Sequence, residues 1–97
     1  MYKMVLANQA VKDARNLEQS GLKAKTAALL RIIQWNPFQT PPVYEKLRGC
    51  QDTYSRRINI QHRLIYQVLP NSDNRTDENG ILYQGVVKII RMWAHYE

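Results

Sequence analysis

The hydrophobic period of this chain changes once, across a stretch that holds three prolines. Before it, Leu22, Thr26, Leu29, Leu30 and Ile33 recur at helical spacing, with Lys23, Lys25, Ala27, Arg31 and Gln34 largely outside the stripe. After it, Thr53 to Ile60 and His62 to Leu69 alternate with period two and are rich in Ile and Tyr. Between the two regimes lie residues 36–43, with Pro37, Pro41 and Pro42. A residue that precedes proline resists the helical region, so Asn36-Pro37 closes the helix and a stiff connector follows. The two alternating runs are nearly contiguous, which predicts a tight hairpin.

The remaining elements fit around this change. Tyr2 to Leu6 reads as a short first strand. Asn8 is placed to cap a helix that runs to about Gln19, with Val11, Ala14 and Leu17 on one face, and Ser20-Gly21 breaks it. Asn71 to Gly80 is a polar turn-rich loop, and Ile81 to Ala94 reads as a long last strand bent at Gly85. The order predicts an α+β fold: strand, helix, helix, then an antiparallel strand meander, with the helices on one face of the sheet. Ninety-seven residues make a single domain, 1–97. A hydrophobic fraction of 44% is enough for a core without disulfides or a structural metal, and the lone Cys50 fits a reducing cytosol. The apolar run at Met1–Leu6 is too short for a signal peptide or a membrane span, so a soluble cytoplasmic protein is expected.

With helices on one side, the other sheet face is open, and parity suggests its occupants. Ser55, Arg57 and Asn59 share a face of one strand, Arg63 and Gln67 of the next, and Arg91, Trp93 and His95 of the last. If these faces coincide, the open side is a groove of guanidiniums, an indole and an imidazole. The charge balance points the same way. Fourteen Lys/Arg against eight Asp/Glu give +6, and Lys46, Arg48, Arg56, Arg57 and Arg63 cluster between residues 45 and 63. Such a cluster suits a polyanion, although a merely well-solvated surface would look alike.

Several chemistries lack their parts. Cys50, His62 and His95 match no metal-ligand spacing, and no acidic cluster, phosphate-binding glycine loop or nucleophile elbow is present. No metal or other cofactor is therefore expected. Acid–base cleavage of RNA needs a base for the 2′-OH, an acid for the leaving 5′-oxygen, and cations for the transition-state charge. Glu45, His95, and Arg57 with Arg63 are of those types. His62 has the opposite parity to Arg63 and reads as a core residue. Arg56 likewise falls on the wrong face for the groove. Trp35, Trp93, Tyr44, Tyr54 and Tyr66 could stack on bases, but such aromatics are more often core.

Five segments, in order, resemble one family. They are Asn36-Pro37-Phe38, Tyr44-Glu45-Lys46-Leu47, Tyr54-Ser55-Arg56-Arg57-Ile58, His62-Arg63-Leu64-Ile65-Tyr66 and His95-Tyr96. Together they resemble the YoeB/Txe branch of the RelE-like mRNA interferases, over nearly the whole chain. The resemblance implies a RelE-like fold and the toxin of a type II toxin–antitoxin pair. Such a toxin enters the ribosomal A site and cleaves mRNA there without a metal ion. It also implies a cognate YefM/Axe-type antitoxin, contact with operator DNA only through that antitoxin, and a free homodimer or a toxin–antitoxin complex. Carried over by position, the general base falls on Glu45, the general acid on His95 and the phosphate-stabilising arginine on Arg63. Arg57 and Arg48 fall where substrate contacts lie, and Tyr96 where the substrate or the acid is oriented.

The chain departs from the pattern in the length of Gly49 to Tyr54, in its long 71–80 loop, and in Glu97 after His-Tyr. Two other functions suit the same fold: a toxin without nuclease activity, like the ParE-type gyrase inhibitors, and a basic RNA-binding module that cuts nothing. The set Glu45, Arg63 and His95 separates the gyrase inhibitors, which have no need to retain it; in the RNA-binding module Arg57 and Arg63 would bind phosphate, and His95→Gln would leave binding and toxicity intact.

Overall fold

The computed structural model describes residues 1–95, and side chains as far as Trp93. The elements run β1 (Lys3–Leu6), α1 (Asn8–Ser20), α2 (Lys23–Trp35), β2 (Tyr44–Lys46), β3 (Thr53–Arg57), β4 (His62–Leu69) and β5 (Val86–His95). They form one five-stranded sheet in the order β1-β5-β4-β3-β2. Strands β2 to β5 are an antiparallel meander, and β1 joins β5 in parallel, which makes the sheet mixed.

One face of the sheet is covered and the other open. Leu64 and Tyr66 of β4 and Val87 and Ile89 of β5 are buried against Ala10 and Leu17 of α1 and Leu29 and Ile33 of α2. Alternate residues of the same strands, Arg63, Ile65 and Gln67 with Val86, Lys88 and Ile90, are at least partly accessible. The α+β reading holds, with helices on a single face.

The helices differ from expectation in detail. Helix α1 begins one residue earlier than an Asn8 cap requires. Ala7 is its N-cap, no side chain caps it, and the Ala7 N–H donates to the Ile89 carbonyl at 2.9 Å. A backbone bond to the sheet thus sets where the helix starts. Its inner face is Ala10, Asp13 and Leu17, whereas Val11 is exposed. The inner face is turned away from Val11, and a buried aspartate belongs to it. The helix ends at Gly21, whose left-handed conformation (φ 79°) suits glycine, with the Leu22 N–H closing on the Leu17 carbonyl. Helix α2 buries Thr26, Leu29 and Ile33 and stops at Asn36, whose side-chain oxygen accepts the Phe38 N–H at 3.0 Å.

The strands β3 and β5 are shorter than predicted. Residues 58–61 turn rather than extend, because the Asn59 side-chain oxygen accepts the N–H groups of both Gln61 and His62. Asn59 therefore leaves the strand face expected for it. Residues 81–85 belong to a small looped extension, in which the Asn71 amide donates to the Arg75 and Tyr83 carbonyls. Ile81 and Leu82 are exposed there. β5 starts after Gly85, where a Cβ would come within 2.8 Å of the Leu69 carbonyl and 2.9 Å of the Tyr2 ring. Strand β2 was not foreseen at all.

Candidate active site

The chemistry-bearing residues are gathered by the three strands at one edge. Strand β2 pairs with β3 so that Glu45 stands opposite Ser55, and β3 pairs with β4 so that Arg57 stands opposite Arg63. Cross-strand partners share a face, so Glu45, Ser55, Arg57 and Arg63 are all on the open side. They line, with Pro42 and Val43, a recess of about 220 Å³. Glu45 and Arg57 are exposed, Arg63 is half-buried and Ser55 is buried at its floor. Among the described residues Glu45 takes part in no ion pair. Two guanidiniums beside a carboxylate, in a recess open to solvent, suit a phosphodiester with a hydroxyl next to it.

The recess depends on a buried cation directed away from it. Arg56 is 1% exposed and lies on the helix side of β3. Its Nε donates to the Tyr66 hydroxyl at 3.1 Å, Nη1 to the Pro42 carbonyl at 2.6 Å, and Nη2 to the Pro37 and Gln39 carbonyls, both at 2.9 Å. Proline-rich residues 36–43 have few N–H groups to pair with, so one guanidinium satisfies carbonyls along the connector. The Tyr44 ring lies 5.1 Å from this guanidinium, and Phe38, Tyr44, Tyr54 and Tyr66 form a chain of aromatic contacts around it. Burial pushes the Tyr66 phenol up, against the opposing pull of Arg56, so it stays protonated and donates to the Pro37 carbonyl at 2.8 Å. Arg56 is thus structural: it fixes the connector that delivers β2, and β2 carries Glu45.

Other expected groove residues are elsewhere. Arg91 is turned to the helix side, where its Nε meets Asp13 of α1 at 2.8 Å. Trp93 is partly buried against the core, its ring stacked on the His62 imidazole with centroids 3.8 Å apart. Alternation itself accounts for both, since Arg91 and Trp93 have the parity of the buried Val87 and Ile89; what fails is the expected coincidence of their face with that of Arg57 and Arg63. His62 is buried, as its parity predicted. Trp35 is 67% exposed rather than core. Arg48 does not line the recess with Glu45; it borders a separate open depression of about 570 Å³ formed by residues 46–51. The His95 backbone is placed opposite His62, one residue beyond the Arg63–Ala94 pair. The His95 side chain and all of Tyr96 fall outside the described residues. Pro42, Val43 and Ser55 are the lining residues that sequence reasoning gave no role. Only the alternation of Ser55 with Arg57 signalled any of them.

Solved structures carry the same fold. A YoeB/ParE toxin from Agrobacterium tumefaciens superposes with a TM-score of 0.73 at 23% identity, over 97% of this chain and 99% of that one. A YoeB dimer from Staphylococcus aureus gives 0.71 at 27% identity, over 98% of each chain. The toxin–antitoxin complex YoeB–YefM from the same organism gives 0.69 at 29%, over 99% of each. The fold is that of YoeB-like toxins of the RelE family. No family model matches the sequence, and no curated protein does. The YoeB-like fold thus persists here at sequence identities under 30%. Among the described residues, this YoeB-like chain has no helix long and apolar enough to cross a membrane and no group of three potential metal-ligating His, Cys, Asp or Glu residues.

Proposed function

We propose that this chain is a toxin, a ribosome-dependent endoribonuclease that cuts mRNA in the A site by acid–base chemistry. The observation that carries the reading is the recess on the open sheet face, where Glu45, Arg57 and Arg63 meet beside the strand end that holds His95. In this reading Glu45 takes or orients the proton of the 2′-OH, whose oxygen attacks the adjacent phosphorus. Arg63, seconded by Arg57, stabilises the added negative charge. His95 gives a proton to the departing 5′-oxygen. The P–O5′ bond breaks, leaving a 2′,3′-cyclic phosphate and a 5′-hydroxyl. Arg48 and Tyr96 serve as substrate contacts at the margins.

The exposed basic recess and the YoeB–YefM complexes among similar structures support a YefM-like antitoxin as partner, with an acidic segment that covers this face. End-group mapping of mRNA recovered from translating ribosomes tests the chemistry. The expected fragments carry a 2′,3′-cyclic phosphate and a 5′-hydroxyl. Fragments with a 5′-phosphate would exclude attack by the 2′-OH and the roles given to Glu45 and His95.

A further inference from the structure

The end of β5 is not where an uninterrupted sheet would put it. From Val86 to Ile89, β5 pairs regularly with β4, Leu69 opposite Val86 through Tyr66 opposite Ile89. Two register shifts follow, one between Tyr66 and Ile65 and one between Ile65 and Arg63, and in each β5 uses one residue more than β4. Without them the ladder would set Trp93 opposite His62. The structure sets His95 there, and Ala94 opposite Arg63. The extra residues draw the strand end back by two positions, about 7 Å of extended chain. Position 95 is thereby level with the first residue of β4 instead of beyond it, over the 58–61 turn.

A side chain from another element holds the shifted segment. Asp13 of α1 is 1% exposed. Its Oδ2 accepts the N–H groups of Met92 at 3.0 Å and Trp93 at 3.3 Å, while Arg91 Nε donates to the same oxygen at 2.8 Å. Oδ1 accepts from Gln9 at 3.1 Å and from Arg91 Nη2 at 3.4 Å. Successive amides of a regular strand point to opposite sides; two that converge on one oxygen mark a bulge, and bulges re-aim the chain next to active sites. The buried carboxylate is the acceptor that the broken ladder fails to supply. Beyond it, the stacked Trp93 and His62 rings fasten the end of β5 to the start of β4.

We infer that Asp13 is a positioning residue of the active site, which sets His95 beside the strand of Arg63 by holding the two register shifts of β5. The inference rests on the nuclease reading above. Asp13 lies on the helix side of the sheet and acts only through the course of the backbone.

The test compares wild type, Asp13→Asn, Arg91→Gln and the double variant Asp13→Asn/Arg91→Gln. Asparagine keeps one oxygen for the two amides but turns an NH₂ toward the Arg91 guanidinium, donor against donor. Glutamine at 91 removes that conflict, and the Gln9 amide, which also donates to Oδ1, can turn its own oxygen to the new NH₂. Single-turnover cleavage on mRNA-programmed ribosomes is measured per folded molecule, with ribosome affinity measured separately, and amide NMR spectra follow Met92 and Trp93. Asp13→Asn is expected to lose roughly 10- to 100-fold in cleavage rate with affinity within about twofold of wild type. Its Met92 and Trp93 resonances should move, and the double variant should recover both rate and resonances. Arg91→Gln alone leaves the amide bonds in place and should cleave near the wild-type rate. A wild-type rate in Asp13→Asn with displaced resonances overturns the inference. If that variant does not fold, the double variant decides: a lost rate with wild-type resonances also overturns it. Failure of wild type to cleave would instead bring down the nuclease reading, while the resonances still report whether Asp13 holds the bulge.

Discussion

Replacing Arg56 by lysine keeps the charge and should nevertheless be among the most damaging single changes in this chain. The guanidinium makes four hydrogen bonds in three directions, to Tyr66, to Pro42, and to Pro37 and Gln39. An ammonium is a point donor on a flexible stem and reaches fewer of these partners from one position. Its charge would stay buried with less compensation, and breaking the support of a buried charge costs about 3–5 kcal/mol. Methionine removes the charge and the donors together. Pro37 keeps its bond from Tyr66, so the carbonyls of Gln39 and Pro42 and the Tyr66 hydroxyl bear the loss. At about 1 kcal/mol or more for each group left without a partner, Arg56→Met should cost about 2–4 kcal/mol. Urea unfolding of the three proteins gives both differences, and the lysine variant should be no more stable than the methionine one. Lysine within about 1 kcal/mol of wild type would refute the reasoning. It would mean that the connector holds its own conformation without Arg56.

Other consequences can be measured independently. Burial, the largest influence on Asp13, pushes its carboxyl up, but bonds from Arg91, Gln9 and the Met92 N–H outweigh it and hold the group below its ordinary value. A lowered carboxylate stabilises the fold fully above about pH 4 and loses that contribution as pH falls through the folded-state value. The stability gap between wild type and Asp13→Asn, followed by thermal melting, should therefore narrow below about pH 4; a gap that widens on acidification would contradict the ion-pair assignment. Gly85→Ala should cost about 1–3 kcal/mol by urea unfolding, since its Cβ meets the Leu69 carbonyl, which has no room to give. Arg57→Ala should weaken ribosome binding and reduce its salt dependence by about one unit of slope. An unchanged slope would mean that Arg57 touches no phosphate.

Much of the architecture was legible because it follows from periods. The α2 stripe, the proline stop at Asn36 and the β4 alternation each repeat long enough to override local noise, and they located those elements closely. Strand β2 escaped because three residues give no period; it exists through its pairing with β3 and the connector held by Arg56. The face of Arg91 was misread for a related reason. Parity groups Arg91 with Trp93 but does not say which face is covered; Val87 and Ile89, of the same parity, lie against the helices, and Asp13, 78 residues before Arg91, is its partner there. Asp13 itself was invisible in that role, since a polar residue on a helix reads as solvated until its partner is known. In the site, Glu45, Arg57 and Arg63 do share one recess, whereas Arg48 borders a separate depression. What could be read was the type of group that the chemistry needs. Which groups meet depended on strand pairing.

Primer extension on a defined mRNA in a purified translation system, with wild type beside His95→Gln, tests the central claim most directly. The account predicts discrete breaks at A-site codons with wild type and none with the variant, although the variant remains folded and binds its antitoxin. Intact mRNA from a wild-type protein that still arrests growth would contradict it, as would breaks that persist unchanged in His95→Gln.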